Sequence, residues 1–220
     1  MSTHSYVLVL TLFLALCAVN GHGKLLTGTC VKAKMAACNN VVKKVFMNAA
    51  ADTQELRVYC NAMKALFLCV KNQLGDTQNP CRSDTLRKYH FIVLAYLGMD
   101  KIMGTCTQDV SEIKAKILDD LAPDSIEIAE DFVEEAFEDN PKVSECAKAA
   151  HHQCVKIFTG LEKQSDNLCF GVRDFIRCYQ VKKCVTDKIS VSFARLISKM
   201  SDELINAFEA NSMCVVEKEL

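Results

Sequence analysis

The chain has 220 residues, half of them apolar, with 13 cysteines but only 8 glycines and 3 prolines. This shortage of glycine and proline excludes the loop-rich, knotted scaffolds of small toxins, because tight turns depend on those two residues. The formal net charge of −1 does not by itself indicate any partner, but no aromatic-studded basic patch is present, so we expect no nucleic-acid partner.

The first 21 residues have the pattern of a secretory signal peptide. The apolar stretch from Tyr6 to Val19 has the length of a signal core and is shorter than the roughly 20 residues that span a bilayer. Val19 and Gly21 are small residues at the −3 and −1 positions for cleavage before His22. We therefore predict a signal peptide over residues 1–21, a secreted, extracellular protein, and no transmembrane segment in the mature chain.

Cleavage at that point would remove Cys17 and leave twelve cysteines. An even number of cysteines in an exported chain predicts disulfide bonds, and the chain has no Cys-x-x-Cys spacing of the kind found in zinc sites. Sequence alone does not select one pairing among the many possible. The cysteines expected to be bonded are Cys30, Cys38, Cys60, Cys69, Cys81, Cys106, Cys146, Cys154, Cys169, Cys178, Cys184 and Cys214.

These cysteines form two runs of six with shared spacing. In both runs the first and second cysteines are eight residues apart, and the third and fourth are nine apart. The segments from Cys60 and from Cys169 also share the pattern Cys-x-x-apolar-basic-x-apolar-apolar-x-Cys-apolar. We interpret this agreement as an internal duplication. The predicted domains are a first six-cysteine helical unit over residues 22–106, an acidic helical connector over 107–142, and a second six-cysteine helical unit over 143–220.

Apolar periodicity predicts three helices in the first unit, over residues 29–47, 52–70 and 83 to about 103, with Ser83 or Asp84 as the N-cap of the third. The centre of that third helix is apolar on every side. Such a helix is either buried in the core of a bundle or forms the wall of a cavity for a lipid-like ligand. The possible apolar ligand surface consists of Phe91, Val93, Leu94, Tyr96 and Leu97.

The connector carries a net charge of −9, whereas residues 22–106 carry +7. Asp109 with Glu112, and Asp124 with Glu127, have the spacing of capping boxes and predict two short helices. These acidic helices either dock on the basic first unit or form an acidic face for a cationic partner.

The second unit repeats the helical pattern over residues 143–161, 165–181 and 187–209. A helix turns by about 100° per residue, so cysteines nine apart point to opposite sides. We therefore expect the second helix of each unit to be bonded on one side to the first helix and on the other to the third helix or its flanking segments. The fold class predicted from these patterns is an all-α, disulfide-stapled helical bundle with two tandem units.

Histidine offers the main candidates for chemistry. His90 has no acidic or hydroxyl residue three or four positions away, which is typical of a surface or core histidine. His151 and His152 are adjacent on a predicted helix, so their rings diverge by about 100° and are poorly placed to chelate one ion. We predict no catalytic residue, no metal site and no cofactor, and hence a protein that is not an enzyme.

An excess of apolar helix in a disulfide-bonded frame predicts a secreted, non-enzymatic binding protein. Its partner would be a small hydrophobic ligand or an extracellular protein. The alternative is a secreted effector, such as a venom component, a pheromone or a defence protein, that acts on a receptor or a membrane. The final Glu-Leu resembles an endoplasmic-reticulum retention tail but lacks the Asp before it, so we expect release from the cell.

Overall fold

A computed structural model of the protein describes residues 28–76, 81, 83–120, 132–133, 136, 142–184 and 186–215. Over these ranges the fold is all-α and is held by six disulfide bonds, which confirms the predicted all-α, disulfide-stapled bundle. The predicted signal peptide and the Asp124 and Glu127 capping box lie outside them. The helices are α1 (residues 28–47), α2 (Glu55–Gly75), α3 (Asp84–Ile102), α4 (Ser111–Asp119), α5 (Glu145–Gln164), α6 (Leu168–Val181) and α7 (Lys188–Ala210).

Helices α3, α5 and α6 begin after a residue whose side chain caps the helix, whereas α2, α4 and α7 have no such side-chain bond. The Ser83 hydroxyl accepts a hydrogen bond from the Leu86 amide at 3.2 Å, which confirms Ser83 as the N-cap of α3. The predicted N-cap of α4 is wrong by one residue, because Val110 and not Asp109 precedes the helix. Asp109 instead accepts a hydrogen bond from the Ser111 amide at 3.0 Å, a local turn that delays the helix by one position.

The disulfide bonds follow the same order in both runs of cysteines. Each run pairs its first cysteine with the fifth, its second with the fourth and its third with the sixth. The second helix is thus bonded to the first helix through one cysteine and to the segment after the third helix through the other, as predicted. The bonds are Cys30–Cys81, Cys38–Cys69, Cys60–Cys106, Cys146–Cys184, Cys154–Cys178 and Cys169–Cys214.

The third helices of both runs also end in the same way. Gly104, two residues before Cys106, has a φ of 68°, and Ser212, two residues before Cys214, has a φ of 55°. In each case the next amide bonds back to a carbonyl five residues earlier, Thr105 to Asp100 and Met213 to Phe208, both at 2.8 Å. This is the Schellman arrangement, in which a left-handed residue ends the helix and turns the chain towards the final cysteine.

We call residues 28–106 the first half and residues 142–215 the second half. A single hydrophobic core extends through both, since α2 packs on α5 and α3 packs on α7. Helix α4 packs on α2 and α3 of the first half. There Glu112 of α4 pairs with Lys71, and the Asp109 carboxylate just before α4 lies 3.7 Å from Lys101 Nζ, so two acidic residues of the predicted connector contact lysines of the first half. None of the helices described combines the length and apolar character needed to cross a bilayer.

Candidate functional site

An apolar cavity of about 110 Å³ lies between the two halves. Its wall contains residues that correspond to each other by their distance from matched cysteines. Val42 lies four residues after Cys38, for example, and Phe158 lies four residues after Cys154. The two halves therefore turn equivalent helix faces towards the cavity. The corresponding pairs are Val42 and Phe158, Tyr59 and Leu168, Met63 and Val172, and Leu66 and Phe175.

Helices α3 and α7 form another part of the cavity wall. Of the five residues predicted as a possible ligand surface, Val93 and Tyr96 line the cavity. Phe91, Leu94 and Leu97 are fully buried on the other faces of α3, in the core. The apolar helix thus packs in the core on some faces and borders a cavity on another. The remaining wall residues of these two helices are Tyr89, Ile92, Ser201, Leu204, Ile205 and Phe208.

Five wall residues bring polar groups to an otherwise apolar surface, namely Asn39, Tyr59, Tyr89, Tyr96 and Ser201. Asn39 is 5% exposed, and its Oδ1 accepts a hydrogen bond from the Tyr89 hydroxyl at 2.9 Å. Its Nδ2 has no hydrogen-bond partner among the residues described. On the α3 and α7 side, burial raises the pKa of Tyr96 and the neighbouring Ser201 hydroxyl opposes that shift. Among the residues described, the Tyr96 and Ser201 hydroxyls also lack a hydrogen-bond partner, so the cavity wall has one unpaired amide donor and two neighbouring unpaired hydroxyls.

A buried polar cluster lies next to the cavity wall and joins α3 to α5 and α6. The His151 Nε2 is 2.9 Å from the Asp100 carboxylate, and its Nδ1 contacts the Tyr179 hydroxyl. Because a carboxylate only accepts, Nε2 carries a proton and donates it to Asp100. Burial raises the pKa of Asp100, and the hydrogen bond from His151 opposes that shift.

This cluster resembles a catalytic arrangement in its residue types alone. Asp100 and His151 are fully buried, Tyr179 is 2% exposed, and none of the three lines the cavity. Tyr59, whose hydroxyl interacts with Asp100, does line the cavity, so the cluster borders the cavity wall through this one residue. We interpret the cluster as a structural link between the halves.

A second buried link joins α1 to α5. Lys43 and Glu162 form an ion pair with side chains 0% and 1% exposed, and Lys43 Nζ also donates to the Glu162 carbonyl oxygen at 3.0 Å. Gly171 on α6 makes room for this pair, since a Cβ at that position would collide with the Glu162 carboxylate. Burial raises the pKa of Glu162 to about 7, and the charge of Lys43 opposes the shift.

The sequence interpretation missed Asn39, Lys43, Asp100 and Glu162. Asn39 and Lys43 do leave a signal, because they are polar residues next to the apolar stripe of Cys38, Val42 and Phe46. Asp100 and Glu162 follow no such pattern, since their partners are far away in the chain. His90 is a core histidine, and its partner Gln73 comes from α2.

No group of three metal-binding side chains occurs within the part of the chain that the structure describes. Comparison of the chain with models of protein families, with curated proteins and with solved structures finds no match.

Proposed function

We propose that the protein is a secreted, non-enzymatic binding protein that holds a small hydrophobic ligand in the cavity between its halves. The observation that carries this proposal is the apolar cavity of about 110 Å³. Ligand sites are typically concave and apolar, with a few polar groups that orient the ligand. An engineered cavity of about 150 Å³ in another protein binds benzene, so a cavity of this size suits a molecule of similar dimensions.

The scaffold in this proposal is a duplicated six-cysteine unit. The identical order of disulfide pairing and the matching Schellman ends of α3 and α7 support duplication. The paired wall positions support it as well, because two copies facing each other would contribute equivalent residues to the space between them. The ligand site then arises where the copies meet.

Secretion is supported by the apolar segment over residues 6–19 and by six disulfide bonds, which persist in oxidising compartments. Expression of the full chain in a eukaryotic cell tests it directly. We expect the protein in the medium, with His22 as its first residue by N-terminal sequencing. Retention inside the cell with residues 1–21 still attached would contradict secretion.

Ligand binding is tested by titration of the purified protein with toluene in a calorimeter. Val172→Phe places a larger side chain in the cavity wall and should weaken toluene binding at least about tenfold. Val181→Phe makes the same change on the same helix at a residue that is 70% exposed, and it should bind toluene as the wild type does.

Failure of the wild-type protein to bind toluene, or equal affinity of the Val172→Phe and Val181→Phe variants, would count against the proposed function. The effector alternative would then be the better one. Native mass spectrometry of protein from its source gives a second measurement, in which we expect a co-purifying small apolar molecule.

A further inference from the structure

Asn39 carries the one side-chain amide of the described cavity wall, whose other unpaired polar groups are the neighbouring Tyr96 and Ser201 hydroxyls. Its Oδ1 accepts from the Tyr89 hydroxyl at 2.9 Å, which fixes the orientation of the amide. Its Nδ2 is left without a partner in the residues that the structure describes, although the side chain is only 5% exposed. Leaving such a donor unpaired in the interior is unfavourable, so a ligand atom that accepts from it would be stabilised.

The rest of the wall restricts what else the ligand carries. None of the cavity-lining residues is Lys, Arg, His, Asp or Glu. A charged group placed there would lose its hydration with no opposite charge to compensate. The ligand is therefore uncharged, which excludes a free carboxylate or an amine in its protonated form.

On the basis of the proposed function, we propose that the ligand is a compact hydrocarbon of about benzene size bearing one hydrogen-bond-accepting oxygen, such as a ketone, which accepts from Asn39 Nδ2. The apolar body packs against the paired residues of α2 and α6, and the oxygen points towards α1. A pure hydrocarbon of the same shape would leave Nδ2 unpaired. Once the greater hydrophobicity of the hydrocarbon is allowed for, it should therefore bind more weakly than the ketone.

Cyclohexanone and methylenecyclohexane provide a matched pair of probes, because they differ only by the exchange of a carbonyl oxygen for a methylene group. The ratio of their affinities should be compared between the wild-type protein and one double variant. The wild type keeps the Asn39 amide in the orientation that Tyr89 fixes, whereas Asn39→Leu with Tyr89→Phe removes the amide and leaves no hydroxyl unpaired. We expect removal of the amide to shift the ratio about tenfold against cyclohexanone, the contribution of one buried hydrogen bond.

Each outcome separates this inference from the proposed function. An unchanged ratio, with both probes still bound, would overturn the role of Asn39 while leaving an apolar binding site. Binding of neither probe to the wild-type protein would overturn both proposals. Cyclohexanecarboxylate should not bind, and affinity equal to that of cyclohexanone would overturn the uncharged ligand class.

The wild-type protein gives a measurement that does not depend on variants folding. In a nitrogen-15 spectrum, the side-chain amide of Asn39 should shift on addition of cyclohexanone and much less with methylenecyclohexane. Equal shifts with both probes would contradict a hydrogen bond from Nδ2 to the carbonyl.

Discussion

At the scale of single residues, Gly104 and Ser212 occupy the same left-handed position at the ends of α3 and α7. Glycine adopts this conformation freely, whereas serine is strained there by roughly 1 kcal/mol. Ser212→Gly should therefore raise the free energy of unfolding by about 1 kcal/mol, and Gly104→Ala should lower it by a similar amount. No atom lies within 4 Å of a Cβ placed at Gly104, so the cost there would come from the backbone alone. Urea denaturation measures the change in unfolding free energy for both variants. Changes of the same sign for Ser212→Gly and Gly104→Ala would contradict the explanation by backbone strain.

His90 makes stability depend on pH. Burial lowers its pKa from 6.5 to about 4. Gln73 Nε2 already donates to the Lys34 carbonyl at 2.7 Å, so the neutral His90 ring donates from Nε2 to Gln73 Oε1. A histidine with a lowered folded-state pKa stabilises the protein above pH 6.5, and that contribution is lost as the pH falls from 6.5 towards 4. The loss amounts to about 3 kcal/mol at most.

His90→Gln isolates this contribution, because glutamine takes up no proton. The difference in unfolding free energy between wild type and variant should narrow as the pH falls from 6.5 to 4. The wild type and the variant must be compared at each pH, because Glu162 also makes stability depend on pH, in the opposite direction. Its pKa is raised to about 7, so its contribution to the free energy of unfolding is lost as the pH rises from about 4.5 to 7. Parallel pH profiles for the two proteins would argue against the role of His90.

The residue scale is also where sequence reasoning reaches its limit. The cysteines that form bonds and the apolar core positions follow from composition and periodicity. The partners of His90, His151 and Lys43 are 17 to 119 residues away or belong to the other half. No local pattern relates such residues, because tertiary packing alone brings them together.

At the scale of elements, Lys43 and Glu162 hold α1 against α5. Removing one partner leaves a buried charge uncompensated, which costs about 3 to 5 kcal/mol, whereas an apolar pair of similar volume is often tolerated. Lys43→Met alone should therefore destabilise the protein strongly, and Lys43→Met with Glu162→Leu should recover most of that loss. Chemical denaturation of the single and double variants measures this. A double variant less stable than the single one would contradict it.

Corresponding disulfides should make corresponding contributions. Cys38–Cys69 and Cys154–Cys178 each join the first and second helices of their run, with sequence separations of 31 and 24. In the loop-entropy model each bond contributes roughly 3 to 4 kcal/mol, and the two differ by a few tenths. Replacement of both cysteines of either bond by Ala should thus lower the unfolding free energy by similar amounts. Costs that differ by more than about 2 kcal/mol would argue that the two halves are stabilised differently.

The helices themselves were largely predictable, within a few residues at each end. Ser83 and the apolar stripes mark α1, α2 and α3, and the nine-residue spacing of Cys60 and Cys69 gave the correct two-sided bonding of α2. The start of α4 was wrong because the side chain of Asp109 bonds to Ser111 in a turn, and a capping pattern does not distinguish that turn from a helix start.

At the scale of the whole molecule, the sequence predicted two units but not their contact. The helix faces through which the halves contact each other are apolar in both halves. The sequence pattern does not distinguish an apolar face that packs within its own unit from one that packs on the other unit. The cavity follows from that contact, so its wall could not be derived beyond the α3 residues.

The contact between the halves predicts the behaviour of a cleaved chain. None of the six disulfides joins the first half to the second. A protease site inserted between Asp120 and Lys142 should yield two pieces that co-elute at the size of the intact protein in native buffer, because they share one core. The same sample should separate into two bands in detergent without reductant. Separation in native buffer would show that the shared core is too weak to hold the halves.

The cysteine spacing has a consequence for how the bonds form. Because no native bond joins cysteines that follow each other in the chain, oxidation in order of synthesis would make wrong bonds at every step. Residues eight or nine apart on a helix are separated by about 12 to 14 Å, well beyond the reach of a disulfide. Once α1 has formed, Cys30 and Cys38 are too far apart to react with each other. Early helix formation would therefore prevent this non-native disulfide before the native bonds form.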